Sequence, residues 1–189
     1  MTRLREELEA AAGRPVVAVT GSTEELAPAD IYVGTEAVLH RVRSVDIVAF
    51  LDLDAELLAP RYRAAEQAMA LLVRAARLIG PRAAGGRLLV QTFLPHHEVL
   101  AAVLHADPSR LATVELARRE LLGLPPFRAL AAIEGTGAEE FAVATGLEVA
   151  TGGRGALVRA ADWMTLGTAL ATTPRPKGSR LRVAVDPPR

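Results

Sequence analysis

Short apolar runs recur along this chain, and what lies between them changes at Leu124-Pro125-Pro126-Phe127. Before that point, runs such as PVVAVT (15–20), IYVGT (31–35), VDIVAFLDLD (45–54) and GRLLVQTF (86–93) are β-branched or continuously apolar and read as strands. They alternate with helical patterns. One follows Thr2, with Leu4, Leu8, Ala11 and Ala12 on one face and Gly13 as its stop. Others span Arg61 to Ile79, closed by Gly80-Pro81, then His96 to His105 and Ser109 to Leu122, split by Asp107-Pro108. Alternating strands and helices predict an α/β layered domain with a parallel sheet. The unbroken apolar character of 45–54 predicts a strand covered on both faces.

After the stiff Leu124–Phe127 link the order becomes strand 128–134, helix 138–145, strand 147–150, a GGRG turn, strand 156–160, helix 162–172 capped by Asp162, and strand 180–186. That β-α-β-β-α-β order is the split-βαβ, ferredoxin-like arrangement. The expected fold class is therefore α/β: a parallel-sheet lobe, then an α+β ferredoxin-like C-terminal domain. The expected boundaries are 1–95 for the lobe, 96–126 for a helical linker and 127–189 for the C-terminal domain.

The formal net charge is zero, so a polyanion would have to be met by a local patch. There are no cysteines, which excludes disulfides and thiolate zinc sites. Met1 leads into the charged TRLREELE, with no apolar core of a signal peptide behind it, and no run of about 18 apolar residues offers a membrane span. A cytoplasmic protein is expected, with no membrane partner. Of the 22 basic residues only Lys177 is a lysine, which fits a GC-rich genome as well as phosphate recognition.

Several stretches resemble the primosomal protein N′ (PriA) family of replication-restart helicases. TRLREEL resembles the family's helix after its zinc-binding insertion, and IYVGTEA its second-lobe I-G-T-Q-M motif. LDLD, Pro60 and RAAEQ (63–67) follow its L-D-A-D, proline, R-A-A-E-R spacing without gaps. LLVQT (88–92) matches its I-I-Q-T strand, RRELLGLPPF (118–127) its signature before the C-terminal domain, and RLRVAVDPPR its closing strand. The resemblance implies the C-terminal part of such a protein, a partial, degenerate RecA-like second lobe followed by the C-terminal domain, without the N-terminal DNA-binding region, the first helicase lobe or the zinc insertion. On that basis it implies no bound ATP, magnesium or zinc.

The chemistry of NTP hydrolysis is missing from the residues themselves. There is no G-x-x-x-x-G-K-[ST] phosphate loop. Where the family carries a Q-x-x-G-R-x-G-R run, this chain has VRAARLIGP (73–81), with Leu78 and Pro81 at the two arginine-finger positions. Arg74 and Arg77 stand nearby at other helical angles, and Arg82 follows the Gly80-Pro81 stop. The stretch after Thr35, EAVLHRVRS, lacks the family's K-G-H-D pattern, so His40 reads as a loop residue. The resemblance thus implies a pseudo-helicase: a DNA-binding, primosome-assembly protein without ATPase activity of its own. The alternative is a non-catalytic protein-interaction module that scaffolds primosome partners.

The candidate DNA contacts are Thr35, Gln91 and Thr92 at strand ends, Arg63, Arg74 and Arg77 along one side of a helix, and Arg175, Lys177 and Arg180 in the basic tail, which also holds Arg182 and Arg189. Each has a plainer reading as turn-former or solvated face. The expected partners are branched or single-stranded DNA and other primosome or replication proteins. Asp52, Asp54 and Glu56 would share one side of a strand, and they read as strand-end caps or ion-pair partners rather than a magnesium site. His96, His97, Glu98 and His105 are spaced for capping and surface roles. Trp163 is expected in the core of the small domain, beside Leu166 and Leu170.

Overall fold

The computed structural model describes residues 2–81, 83, 85–152 and 155–187. The chain divides into two compact units. Unit 1 comprises Met1–Pro60 and Ala64–Pro108, and unit 2 comprises Arg61–Arg63 and Ser109–Arg189. The molecule is mixed α/β, with parallel and antiparallel sheets.

Unit 1 begins with α1 (Thr2–Ala12), which packs on β1 (Val16–Val19). β1 pairs in parallel with β2 (Ile31–Gly34), Val16 opposite Ile31 and Val19 opposite Gly34. The backbones approach so closely there that a Cβ on Gly34 would lie 2.1 Å from the Val19 carbonyl oxygen. Only glycine fits, and the chain is delivered directly into Thr35 and α2 (Ala37–Arg41). A second parallel pair joins β3 (Ile47–Phe50) to β4 (Arg87–Val90), Ile47 opposite Arg87 and Phe50 opposite Val90. The crossover contains α3 (Asp54–Leu57) and α4 (Ala64–Ile79). Ala65, Ala68, Leu72 and Ala75 recur every three or four residues on α4 and, with Met69, are all buried. That stripe packs α4 against α3, α5 (Glu98–Leu104) and both strands of the pair.

Two expectations about β3 are corrected here. The strand ends at Phe50, and Asp54 opens a helical turn instead of continuing the strand, so Asp52, Asp54 and Glu56 do not share one strand face. Nor is β3 covered on both sides. Its residues alternate between exposed and half-buried, and Ile47 is 57% exposed, because the pair has only two strands and α4 lies on it from one side. α2 and α3 are short helices that the periodicity did not indicate. α5 starts at Glu98, with His97 as its cap accepting the Val99 N–H at 3.2 Å.

Unit 2 contains α6 (Ser109–Leu122) and a four-stranded antiparallel sheet. Its strands are β5 (Ala129–Thr136), β6 (Glu148–Gly152), β7 (Gly155–Ala160) and β8 (Arg180–Val185), in the order β6-β7-β5-β8. α7 (Ala138–Ala144) joins β5 to β6, and α8 (Trp163–Thr172) joins β7 to β8. Ala129, Ala131 and Ile133 alternate on one face of β5 with Ala156, Val158 and Ala160 of β7. Phe141 and Ala142 of α7 and Leu166 of α8 complete this core, so both helices cover the same face. Small residues on the strands let the Phe141 ring sit close to the sheet. Asp162 caps α8 by accepting the Thr165 N–H at 2.7 Å. Trp163 is not in this core. It is 43% exposed at the first turn of α8, because Leu166 takes the inward position and Leu170 packs beside it. The expected GGRG turn includes Gly153 and Arg154, which lie outside the described residues.

Candidate nucleic-acid interface

The strand ends carry three of the expected contacts. Thr35 is exposed one residue beyond β2, where its carbonyl accepts the Val38 N–H of α2 at 3.0 Å. Gln91 is exposed one residue beyond β4, and its backbone N–H donates to Phe50 of β3 at 2.8 Å. Thr92 differs from both. Its hydroxyl donates to the Asp54 carboxylate, whose other oxygen accepts the Phe93 N–H at 2.8 Å. The carboxyl-end loop of β4 is therefore held by the first residue of α3, and Phe93 is left 91% exposed beside it.

The three helix arginines do not form one stripe. Arg63 precedes α4 and belongs to unit 2, so helical spacing does not relate it to Arg74 and Arg77. It donates to Asp186 at 2.6 Å and to the Tyr62 hydroxyl at 2.8 Å. Arg74 donates through Nε to the Leu39 carbonyl at 2.7 Å, satisfying an end carbonyl of α2. Arg77 is exposed in the last turn of α4, where a cation complements the helix dipole. Arg82 and Arg189 lie outside the described residues.

The basic tail is the most open of these groups. Arg175 and Lys177 are exposed in the connection from α8 to β8, and Arg180 is exposed at the start of β8, an edge strand of the sheet. Arg182, two residues on, points to the same face of the sheet as Arg180, and its nearest carboxylate oxygen, on Glu134, is 3.9 Å away. Arg182 is part of the basic tail in the sequence but not among the candidate contacts, although its period-two spacing from Arg180 is the signal that links them.

The division into units exposes a charge separation hidden in the neutral whole. Unit 2 holds 13 of the 22 lysines and arginines but only 8 of the 22 aspartates and glutamates, a surplus of five positive charges. Unit 1 holds 9 and 14, a surplus of five negative ones. A polyanion is attracted to one unit and repelled by the other.

A second cluster in unit 2 escaped the sequence reading altogether. Glu115 and Arg119 face inward from α6 and are buried. Arg118 donates to Glu115, and Arg119 reaches the Pro125 carbonyl at 3.4 Å. The guanidinium of Arg119 also lies 5.1 Å from the centre of the Tyr62 ring, and Arg63 lies 5.2 Å from it. The Tyr62 hydroxyl donates to Asp186, the residue after β8. Burial pushes the Asp186 carboxyl up, but the hydrogen bonds from Tyr62 and Arg63 and the charges of Arg63 and Arg119 outweigh it and hold the group below the usual carboxylate range. Burial, then the Asp186 hydrogen bond, pushes the Tyr62 hydroxyl up. The repeat Leu111, Glu115, Arg119 at four-residue intervals was the available signal, but charges at that spacing ordinarily mark a solvated face.

No family model matches the chain. Individual proteins do. Over 101 residues it is 32% identical to the replication restart protein PriA of Chlamydia pneumoniae, a match covering 52% of this chain and 14% of that protein. Over 100 residues it is 31% identical to the replication restart protein PriA of Treponema pallidum, covering 52% and 15%. Over 105 residues it is 30% identical to the replication restart protein PriA of Thermotoga maritima, covering 53% and 14%. The matched stretch is thus about one-seventh of these relatives' length. Over about half of its residues the chain is similar to the PriA replication-restart proteins of diverse bacteria, the family its motifs resemble, in a partial match consistent with their C-terminal region.

Proposed function

We propose that this chain is a DNA-binding replication-restart protein that holds branched or single-stranded DNA and does not drive ATP-dependent unwinding. The observation that carries the reading is the positive surplus of unit 2 together with its exposed row Arg175, Lys177, Arg180 and Arg182, in a chain similar to PriA. Successive like-facing residues on a strand are about 6.6 Å apart, a spacing that suits consecutive phosphates of an extended strand. Thr35, Gln91 and Arg77 supply further exposed donors in unit 1, whereas the side chains of Arg63, Arg74 and Thr92 already serve internal bonds.

The reading assigns unit 1 as a degenerate RecA-like second lobe and the sheet of unit 2 as a ferredoxin-like domain, with boundaries at 1–95, 96–126 and 127–189. Two parallel strand pairs, one with a helical crossover on one side, support the first assignment. The strand order β6-β7-β5-β8, with two helices on one face, supports the second. It also assigns no ATP, magnesium or zinc to the chain, because the phosphate loop and arginine-finger positions are not filled by suitable residues. A cytoplasmic location follows from the same reading. Among the described residues, no helix is long and apolar enough to cross a membrane.

The test is binding of a labelled forked duplex and of single-stranded DNA at increasing salt, with ATP turnover measured alongside. The reading requires affinity that falls steeply with salt and no DNA-stimulated turnover. Salt-independent or undetectable binding supports a second reading, a protein-interaction module scaffolding primosome partners. That one is favoured by the apolar side chains that α6 leaves in solvent, Leu121 at 86% exposure above all.

A further inference from the structure

We propose that Arg61–Arg63 is a releasable strap, clipped to unit 2 by Asp186, whose opening frees the chain that enters α4. These three residues are flanked on both sides by unit 1 sequence, yet they belong to unit 2. One carboxylate holds two of the three residues. Asp186 accepts from the Tyr62 hydroxyl on one oxygen and from Arg63 at 2.6 Å on the other, across 124 and 123 residues of sequence. Asp186 is fixed in turn by its own N–H, which donates to Leu130 of β5 at 2.9 Å, and it sits at φ 50°, just past β8. The Tyr62 ring is flanked by two guanidiniums, and Arg119 is anchored from behind by Glu115 and the Pro125 carbonyl.

The socket is therefore built from elements of the sheet and α6, and it does not need the strap to exist. Tyr62 and Arg63 contribute one ring and charge-assisted hydrogen bonds, on side chains that are partly exposed. No aliphatic side chain of residues 61–63 is buried with it, so its opening costs little apolar burial and leaves the core around Phe141 intact. Once open, the six residues from Leu58 to Arg63 between α3 and α4 span up to ~20 Å. The strap thus switches this linker between a pinned and a free state. It does so independently of whether the chain binds DNA.

Trypsin reads the state directly, since it cuts after Arg61 and Arg63 only when the strap is open. In the full chain, Asp186→Asn is expected to raise cleavage at these two bonds on the order of tenfold, while cleavage after Arg77 on α4 and the far-ultraviolet circular dichroism stay as in the wild type. Asp162→Ala, which removes the α8 cap, is expected to leave Arg61 and Arg63 protected. Wild-type protection in a folded Asp186→Asn chain overturns the proposal, and so does an equal rise in both variants. If Asp186→Asn does not fold, Tyr62→Phe and Arg63→Gln decide: severalfold faster cleavage supports the strap, and unchanged cleavage in both overturns it.

Discussion

Asp54 and Thr92 hold the ends of two adjacent parallel strands together: the threonine hydroxyl donates to the carboxylate, and its oxygen accepts the Leu94 N–H at 2.9 Å. Thr92 is a candidate DNA contact, and its hydroxyl proton is engaged with Asp54. Thr92→Val is expected to destabilise unit 1 by ~1 kcal/mol and to change DNA affinity less than about twofold at equal folded fraction. Denaturant unfolding and fluorescence anisotropy check both parts. Severalfold weaker DNA binding with unchanged stability would show that the hydroxyl contacts DNA after all.

The basic row of unit 2 makes a sharper claim. Replacing Arg175, Lys177 and Arg180 together by alanine is expected to weaken binding of single strands of any sequence alike. The dependence of log K on log salt should become shallower by about 2, since each phosphate contact in single strands contributes ~0.7. All three side chains are exposed, so stability should stay within about 0.5 kcal/mol of the wild type. Replacing Arg74 instead should cost stability, because its Nε bond to Leu39 ends α2. An unchanged salt slope in the triple variant would move the DNA contact elsewhere.

Much of the fold was legible because its punctuation is strong. Gly80-Pro81 and Asp107-Pro108 closed helices where the structure closes them, and α6 runs over Ser109–Leu122 as the pattern indicated. The expected strand overruns the end of β3 by four residues, since the alternation in Leu51-Asp52-Leu53-Asp54 mimics a strand although it leads into a helical turn. Trp163 shares a helical side with Leu166 and Leu170, which predicts burial, but the inward place at the start of α8 belongs to Leu166 and leaves the indole half-exposed. The strap was invisible for a different reason. Pairing Tyr62 with Asp186 is a tertiary event across 124 residues, and no local pattern encodes it. The charge separation lay in the sequence throughout, but counting it required knowing where the units divide.

Asp186 and Tyr62 fix the pH window of the strap. Asp186 is held below its ordinary range, so its contribution is complete above the unfolded carboxylate value of ~3.9 and fades as pH falls through the lower folded value. Tyr62 is shifted upward, so its contribution is complete below the unfolded value of ~10 and is lost as pH rises through the folded one. Tryptic protection cannot be read in acid, so hydrogen exchange of residues 61–63, corrected for intrinsic rates, is the measurement. Protection should be flat from about pH 4 to about pH 10 and fall on either side. In Asp186→Asn the acid limb should vanish, and its persistence would assign that limb to another carboxylate.

Gly135 tests whether the edge strand bearing the basic row is fixed by backbone geometry. It sits at φ 105° within β5, opposite Leu181, and a Cβ there would lie 2.0 Å from the Arg180 carbonyl oxygen. Alanine at this position meets two penalties at once, a left-handed conformation and a collision with backbone, which cannot rotate away as a side chain does. The expected loss is ~3 kcal/mol or more, much of it through separation of β8 from β5. Gly152 on β6 of the same sheet is the control, because a Cβ there meets nothing within 4 Å. Gly152→Ala should stay within about 0.5 kcal/mol of the wild type. Denaturant unfolding separates the two variants, and hydrogen exchange locates the damage: in Gly135→Ala the amides of Arg180 to Val185 should lose protection first, while those of β6 and β7 keep theirs. Equal stability of the two variants would mean that β5 and β8 shift past each other at little cost, and that the register placing Arg180 and Arg182 on one face is not held by Gly135.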